Sequence, residues 1–237
     1  MDLRTYTNSL GMTLTLIPEG SNVMGSLATE KDRDPDEGPR RRCTISSFWL
    51  GSCAVSQGQY QQITGKNYSR YKNPDLPSSM LTRNEALAFC QKLSEIEKSQ
   101  YVLPTEAQWE YACRAGCETA YCFGDDPALL GEFAWFASNS DTKTKPVGRK
   151  RPNAWGLYDM HGNVWEWCSD LWSSLGYPPG DATDPIGETG YTHVIRGGCF
   201  YSEPQALRSA KRFGYHEGNR FESVGFRVVR VIDPAYL

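Results

Sequence analysis

Two apolar runs near the start of the chain, LTLIP at 14–18 and TISSFWLGSCAVS at 44–56, carry the β-branched and aromatic residues that sheets favour, and both predict strands. The stretch between them, TEKDRDPDEGPRRR, has the composition of a solvated loop. A helical pattern then takes over. Ser56 with Gln59, Thr82 with Glu85 and Thr105 with Gln108 each set a hydroxyl three residues before a Glu or Gln, the pattern that satisfies two orphan N–H groups at a helix start. After Thr82, the residues Ala86, Phe89, Cys90, Leu93 and Ile96 form one apolar stripe, so this helix faces a core. After Thr105 come Trp109, Ala112 and Cys113, with Gly116 placed as the glycine that ends the helix. Asp126 followed by Pro127 marks a further short turn of helix.

Beyond residue 133 the periodicity fades while tryptophans and glycines accumulate, as in loops held by buried rings: Trp135, Trp155, Trp165, Trp167 and Trp172 stand amid Gly148, Gly156, Gly162 and Gly176. Two strands close the chain, HVIRGG at 193–198 and VGFRVVRV at 224–231. The second sets Val224, Phe226 and Val228 on one side and Gly225, Arg227 and Val229 on the other. No linker composition and no repeat interrupts the sequence, which predicts a single α+β domain over 1–237.

Composition narrows the function. No run of 18 apolar residues exists, which excludes a membrane-spanning helix. The opening MDLRTYTNSLGM lacks the features of a secretory signal. A cytoplasmic location is therefore expected, with surface display through further segments left open. The eight cysteines include no CxxC, and three histidines are too few for an evident zinc site, so reduced, mostly buried thiols are expected. The net charge of −3 argues against polyanion binding. Charge is uneven, however: residues 196–230 hold seven basic side chains against three acidic. Aromatics interleaved with these could hold a single strand. The acidity of the whole chain outweighs that reading, and no nucleic-acid partner is expected.

Four stretches, TNSLGMTLTLIPEGSNVMGS, YVLPTEAQWEYACRAG, RPNAWGLYDMHGNVWEWCSD and VIRGGCF followed by VGFRVVRV, together resemble the formylglycine-generating-enzyme, or sulfatase-modifying-factor, family. The resemblance implies a variant of the C-type lectin fold, with a mixed, twisted antiparallel sheet, few helices and long irregular loops. Enzymes of that family oxidise a substrate cysteine using a copper-binding cysteine pair after the RGG strand. Those places fall here at Ser202 and Leu207. Neither supplies the soft thiolate such a copper site needs, so no copper and no catalytic residues are expected, although Cys199 lies close by. A branch that holds iron with a histidine triad does so on an added domain; His161, His193 and His216 show no such spacing.

In GLYDMHGNVWEW, the hard oxygens of Asp159 and Glu166 flank a turn containing Gly162, a donor set suited to calcium more than to a transition metal. The family resemblance likewise implies calcium here, through the Asp159 and Glu166 side chains and the Gly162 and Val164 carbonyls. The alternative is that both carboxylates cap loop amides.

From Arg196 to Arg227 a frame of Arg, Gly, Pro, Ser and Asn residues is interleaved with chemically unrelated side chains. Its spacing is similar to the variable region of proteins diversified by retroelements, in which template adenines are randomised. Tyr201, Ser202, Phe213, Gly214, Tyr215, His216, Phe221 and Ser223 can all arise from an AAC codon by adenine changes; Glu203, Gln205 and Glu222 cannot. As a binding surface, Phe200, Tyr201, Phe213, Tyr215, His216 and Phe221 offer large contact area at low entropy cost. Ser202, Glu203, Gln205, Glu222 and Ser223 add polar contacts, and the frame arginines could pair with carboxylates such as Glu166. The expectation is a non-catalytic protein that displays a variable, aromatic-rich segment at 196–227 to a protein or other macromolecular ligand. The alternatives are a copper-dependent oxidoreductase of the formylglycine type and a static accessory member of the family.

Overall fold

The computed structural model describes residues 4–232. In chain order the first half forms strands β1 (Thr5–Thr7), β2 (Thr13–Ile17), β3 (Gly20–Met24), β4 (Arg41–Ile45) and β5 (Phe48–Gly51), then helices α1 (Gln57–Thr64) and α2 (Arg83–Glu97). Strand β6 (Tyr101–Val102), helix α3 (Glu106–Arg114) and the short α4 (Leu130–Phe133) follow. The remainder forms β7 (Trp165–Trp172), β8 (Ala182–Thr183), β9 (Thr192–Arg196), β10 (Arg212–Tyr215), β11 (Val224–Gly225) and β12 (Val229–Arg230).

These strands build three sheets, in the orders β1-β2-β5-β12-β6, β10-β9-β7-β11 and β3-β4-β8. All three reciprocal caps form: the Ser56, Thr82 and Thr105 hydroxyls accept the N–H of Gln59, Glu85 and Gln108, whose side chains reach back. Helix α2 buries Ala86, Phe89, Cys90 and Leu93, but Ile96 lies beyond the covered part of the stripe and is half exposed. Helix α3 ends at Arg114 with Ala115 as its cap, and Gly116 follows as the expected closing glycine; both take positive φ, +46° and +92°. A short 3-10 turn, Pro127–Leu129, follows Asp126, whose side chain accepts the Ala128 N–H.

Two long strand predictions break. The 44–56 run forms only the end of β4 and then β5, after which the chain turns irregularly into α1. The 224–231 run splits because it changes sheets: β11 pairs in parallel with β7, and β12 inserts between β5 and β6. Residues 224–229 are buried on both sides of the chain, so their alternation separates two interiors and not an interior from water.

The same division organises β7 and β9. Trp167 and Ile195, paired across these strands, pack in one core with Leu14, Phe89 and Phe226. Cys168 and Val194 pack in another with Ile17, Trp109 and Met160. All eight cysteines are free thiols, five of them buried. Among the described residues, no helix is long and apolar enough to cross a membrane.

Candidate ligand-binding site

Strand β10 is an edge of its sheet, and its alternation decides the site. Arg212 and Gly214 face one side; Phe213 and Tyr215 face the other. On that second face the register continues inward: Phe213 lies opposite Ile195 of β9, and Val224 of β11 pairs with Trp165 of β7. Tyr201, Phe221 and Ser223 arrive from the flanking loops, and together these eight side chains line an open groove of about 310 Å³. Trp165, Ile195 and Val224 were absent from the sequence-derived site because each reads as an ordinary core residue.

The rings brace one another at an angle. Tyr215 meets Phe221 edge-on at 5.2 Å, and Trp165 and Phe213 tilt by 41° at 6.3 Å. Beneath them, Trp167 packs against Tyr215 at 5.8 Å. The Tyr201 hydroxyl donates to Ser223 Oγ at 2.9 Å, which ties the loop after β9 to the loop before β11. Even so, Tyr201, Phe213 and Phe221 remain 50%, 48% and 47% exposed.

The opposite face of the same sheet is locked by ion pairs. Arg212 forks onto Glu106 of α3 at 2.8 and 2.7 Å. Arg196 makes a charge contact with Glu106 at 2.9 Å and pairs with Glu110, which also takes the Arg114 guanidinium at 2.9 Å. Burial pushes the Glu110 pKa up, but Arg114 and Arg196 outweigh it and hold the carboxyl below its ordinary value. Arg227 forks onto Glu166 at 2.6 and 2.8 Å, as the sequence suggested, and donates to the Gly51 and Tyr158 carbonyls. Arg208 pairs with Glu30 and Glu37. These four arginines are at most 3% exposed, so most of the basic excess of this segment is neutralised inside the fold. The signal for the α3 partners, Glu106, Glu110 and Arg114 at intervals of four, would ordinarily read as a solvated helix face.

Of the other expected contact residues, none lines the groove. Phe200 is buried and meets Tyr201 edge-on at 4.9 Å. Ser202 is buried too, and its Oγ accepts the Cys199 N–H at 3.0 Å, so it is a loop brace and not a contact residue. Glu203 and Gln205 are exposed around the 3-10 turn Pro204–Leu207. His216 is exposed at the end of β10, where Nδ1 accepts the Gly218 N–H. Glu222 sits in an adjoining crevice with Phe200 and Arg70. Gly214 cannot be varied freely, since an added Cβ would lie 2.5 Å from the Trp172 ring.

The carboxylates of the 159–166 loop do not fit the four-ligand calcium cage that the resemblance implies. Glu166 spends both oxygens on Arg227, and Oε2 also accepts Trp109 Nε1–H at 2.8 Å. The Gly162 carbonyl accepts the Val164 N–H. Asp159 keeps a free atom: Oδ2 accepts the Gly148 N–H at 2.8 Å, while buried Oδ1 has no partner. Burial raises the Asp159 pKa to about 6. At the two positions where the resemblance would place the copper-binding cysteine pair, Ser202 is hydrogen-bonded and Leu207 is buried in an apolar cluster with Tyr121 and Phe136. Burial also raises the pKa of Cys199, which disfavours the thiolate that metal binding needs. His161 is engaged at both ring nitrogens, with the Leu207 carbonyl and the Cys122 N–H, and His193 contacts Glu217.

The family profile described as Sulfatase-modifying factor enzyme 1-like domain matches residues 4–232. The chain belongs to this family. Among its sulfatase-modifying-factor relatives is the formylglycine-generating enzyme of Streptomyces coelicolor, 33% identical over 193 residues that cover 75% of this chain and 57% of that enzyme. The chain thus spans little more than half the length of that relative. PvdO from Pseudomonas aeruginosa superposes with a TM-score of 0.87 at 29% identity, covering 97% of this chain and 98% of PvdO. Treponema denticola variable protein 1 gives the same TM-score at 24% identity, covering 97% and 99%. The fold is therefore the sheet-dominated α+β, C-type-lectin-like fold of the formylglycine-generating-enzyme type.

Proposed function

We propose that this chain is a non-catalytic ligand-binding protein whose site is the groove of Trp165, Tyr201, Phe213, Tyr215 and Phe221, displayed on a C-type-lectin-like scaffold. One observation carries the reading: three large aromatic side chains, Phe213 of the edge strand and Tyr201 and Phe221 of the flanking loops, stay about half in water over one face of the sheet, while the other face is held by buried ion pairs. Clustered exposed apolar side chains of this kind mark a docking surface. Diversification fits the same geometry, because Tyr201, Phe213, His216 and Phe221 are exposed and Tyr215 covers the core around Trp167 from the groove side only. Ser202, Gly214 and Ser223 are the exceptions among codons reachable from AAC, since Ser202 and Gly214 are committed to packing and buried Ser223 accepts the Tyr201 hydroxyl.

The test is a library randomised at those five positions on the otherwise unchanged chain, selected against unrelated folded proteins such as lysozyme and ovalbumin. Specific binders with melting temperatures close to the parent are expected. A library that unfolds, or folds and yields no binders, would overturn the assignment. Copper-dependent oxidation of a cysteine-containing peptide should be absent; turnover would replace this reading with the enzymatic one.

A further inference from the structure

Two segments beside the groove, 66–75 and 141–151, hold eight basic side chains against two acidic, a net charge of +6 in a chain whose total is −3. The fold brings them together. The Val147 N–H donates to the Asp75 carbonyl at 2.9 Å, and Lys143 Nζ sits 5.4 Å from the centre of the Tyr71 ring. Arg70, Tyr71 and Thr144 line a crevice with Phe200 and Glu222, so the basic surface begins where the Tyr201 wall of the groove ends.

The charges along this border are largely matched. Glu222 is paired with Arg70 at 3.3 Å and Glu85 with Arg220 at 2.6 Å, whereas the partner of Glu217 is His193, at 3.3 Å, a ring that burial holds below its ordinary pKa, so that contact is no full charge match. Glu203, exposed and outside the groove lining, pairs with no cation among the described residues. What stays exposed and unpaired on the flank is Lys66, Lys72, Lys143 and Arg149, against Asp75. A partner seated among the aromatic rings therefore meets uncompensated positive charge on this side.

We propose that the groove takes an acidic protein segment bearing an aromatic or apolar anchor, the anchor seated between Phe213 and Phe221 and the flanking carboxylates passing over Lys66, Lys72 and Lys143. This rests on the ligand-binding reading of the groove. The tilt of the rings, 41° to 70° between neighbours, encloses a side chain and does not offer the parallel faces on which bases stack. The groove lining holds no cation that could meet a phosphate. Charge complementarity of this kind speeds association and weakens as salt rises.

The probe is a glutamate–tyrosine copolymer, compared with polyglutamate, a lysine–tyrosine copolymer and single-stranded oligothymidylate in a surface-binding assay. The glutamate–tyrosine copolymer should bind best. Its affinity should fall about tenfold in the triple variant Lys66→Glu, Lys72→Glu, Lys143→Glu at low salt, and this difference should shrink as salt is added. Equal or tighter binding of the lysine copolymer or of the oligonucleotide overturns the proposal, as does no binding of the glutamate copolymer. Phe213→Ala separates the two levels. Binding lost in Phe213→Ala but kept in the triple variant leaves the groove reading standing and removes the acidic partner; binding kept in both removes the groove itself.

Discussion

Replacing Asp159 by Asn removes a buried charge while conserving shape. The side chain is 3% exposed, and its single hydrogen bond, from the Gly148 N–H to Oδ2, can be accepted equally by an amide oxygen. Burial, offset in part by that bond and by Arg227, raises the carboxyl pKa from 3.8 to about 6. Between those values the folded protein keeps a proton that the unfolded chain has released. The stability contributed by this group is thus complete below about pH 4 and is lost as the pH rises through about 6. Each pH unit of that interval is worth about 1.4 kcal/mol, so the ionised carboxylate costs the fold about 3 kcal/mol. Asn is neutral throughout. Asp159→Asn should therefore match the parent near pH 4 and exceed it by about 3 kcal/mol near pH 8, as read by urea denaturation at both values. Equal or lower stability of the variant near pH 8 would show that the ionised carboxylate is compensated, and the reasoning from its unpartnered Oδ1 would fail.

Three further outcomes are expected. Arg227→Leu strands Glu166 without its cation and should cost about 3–5 kcal/mol in denaturant unfolding, whereas adding Glu166→Leu should restore part of the loss; simple additivity would show that the pair is not coupled. Gly214→Ala drives a methyl group into Trp172 and should cost about 1–3 kcal/mol with a change in tryptophan fluorescence, and an unchanged melting curve would mean the ring yields freely. Calcium should leave the melting temperature where it is, because an ion bound only to the native state would raise it by mass action; a saturable rise that disappears in Asp159→Asn would contradict the assignment of Glu166 to Arg227.

The elements that were legible in the sequence are those set by local chemistry. The caps at Ser56, Thr82 and Thr105 need only residues within one turn, and all three form. Strand β10 was not predicted, because Arg212–Tyr215 is a four-residue run with a glycine inside it and carries little strand signal of its own. What escaped depends on contacts distant in sequence. Trp165, Ile195 and Val224 become a groove floor only because β7, β9 and β11 lie side by side. Glu106 and Glu110 become interior residues only because Arg196 and Arg212 reach them from about a hundred residues away along the chain. Phe200 and Ser202 looked like neighbours of Tyr201 in a contact surface, yet the loop turns both inward.

Sequencing the genomic DNA around this gene bears most directly on whether the groove is a diversified ligand site. A near-copy of the codons for Arg196 to Arg227, beside a reverse transcriptase, should differ from the gene only at template adenines. Its mismatches should gather on the codons for Tyr201, Phe213, Tyr215, His216 and Phe221 and spare those for Arg196, Arg208, Arg212 and Arg227. A locus with no such repeat, or a repeat whose changes fall on the buried arginines as often as on the exposed rings, would contradict it.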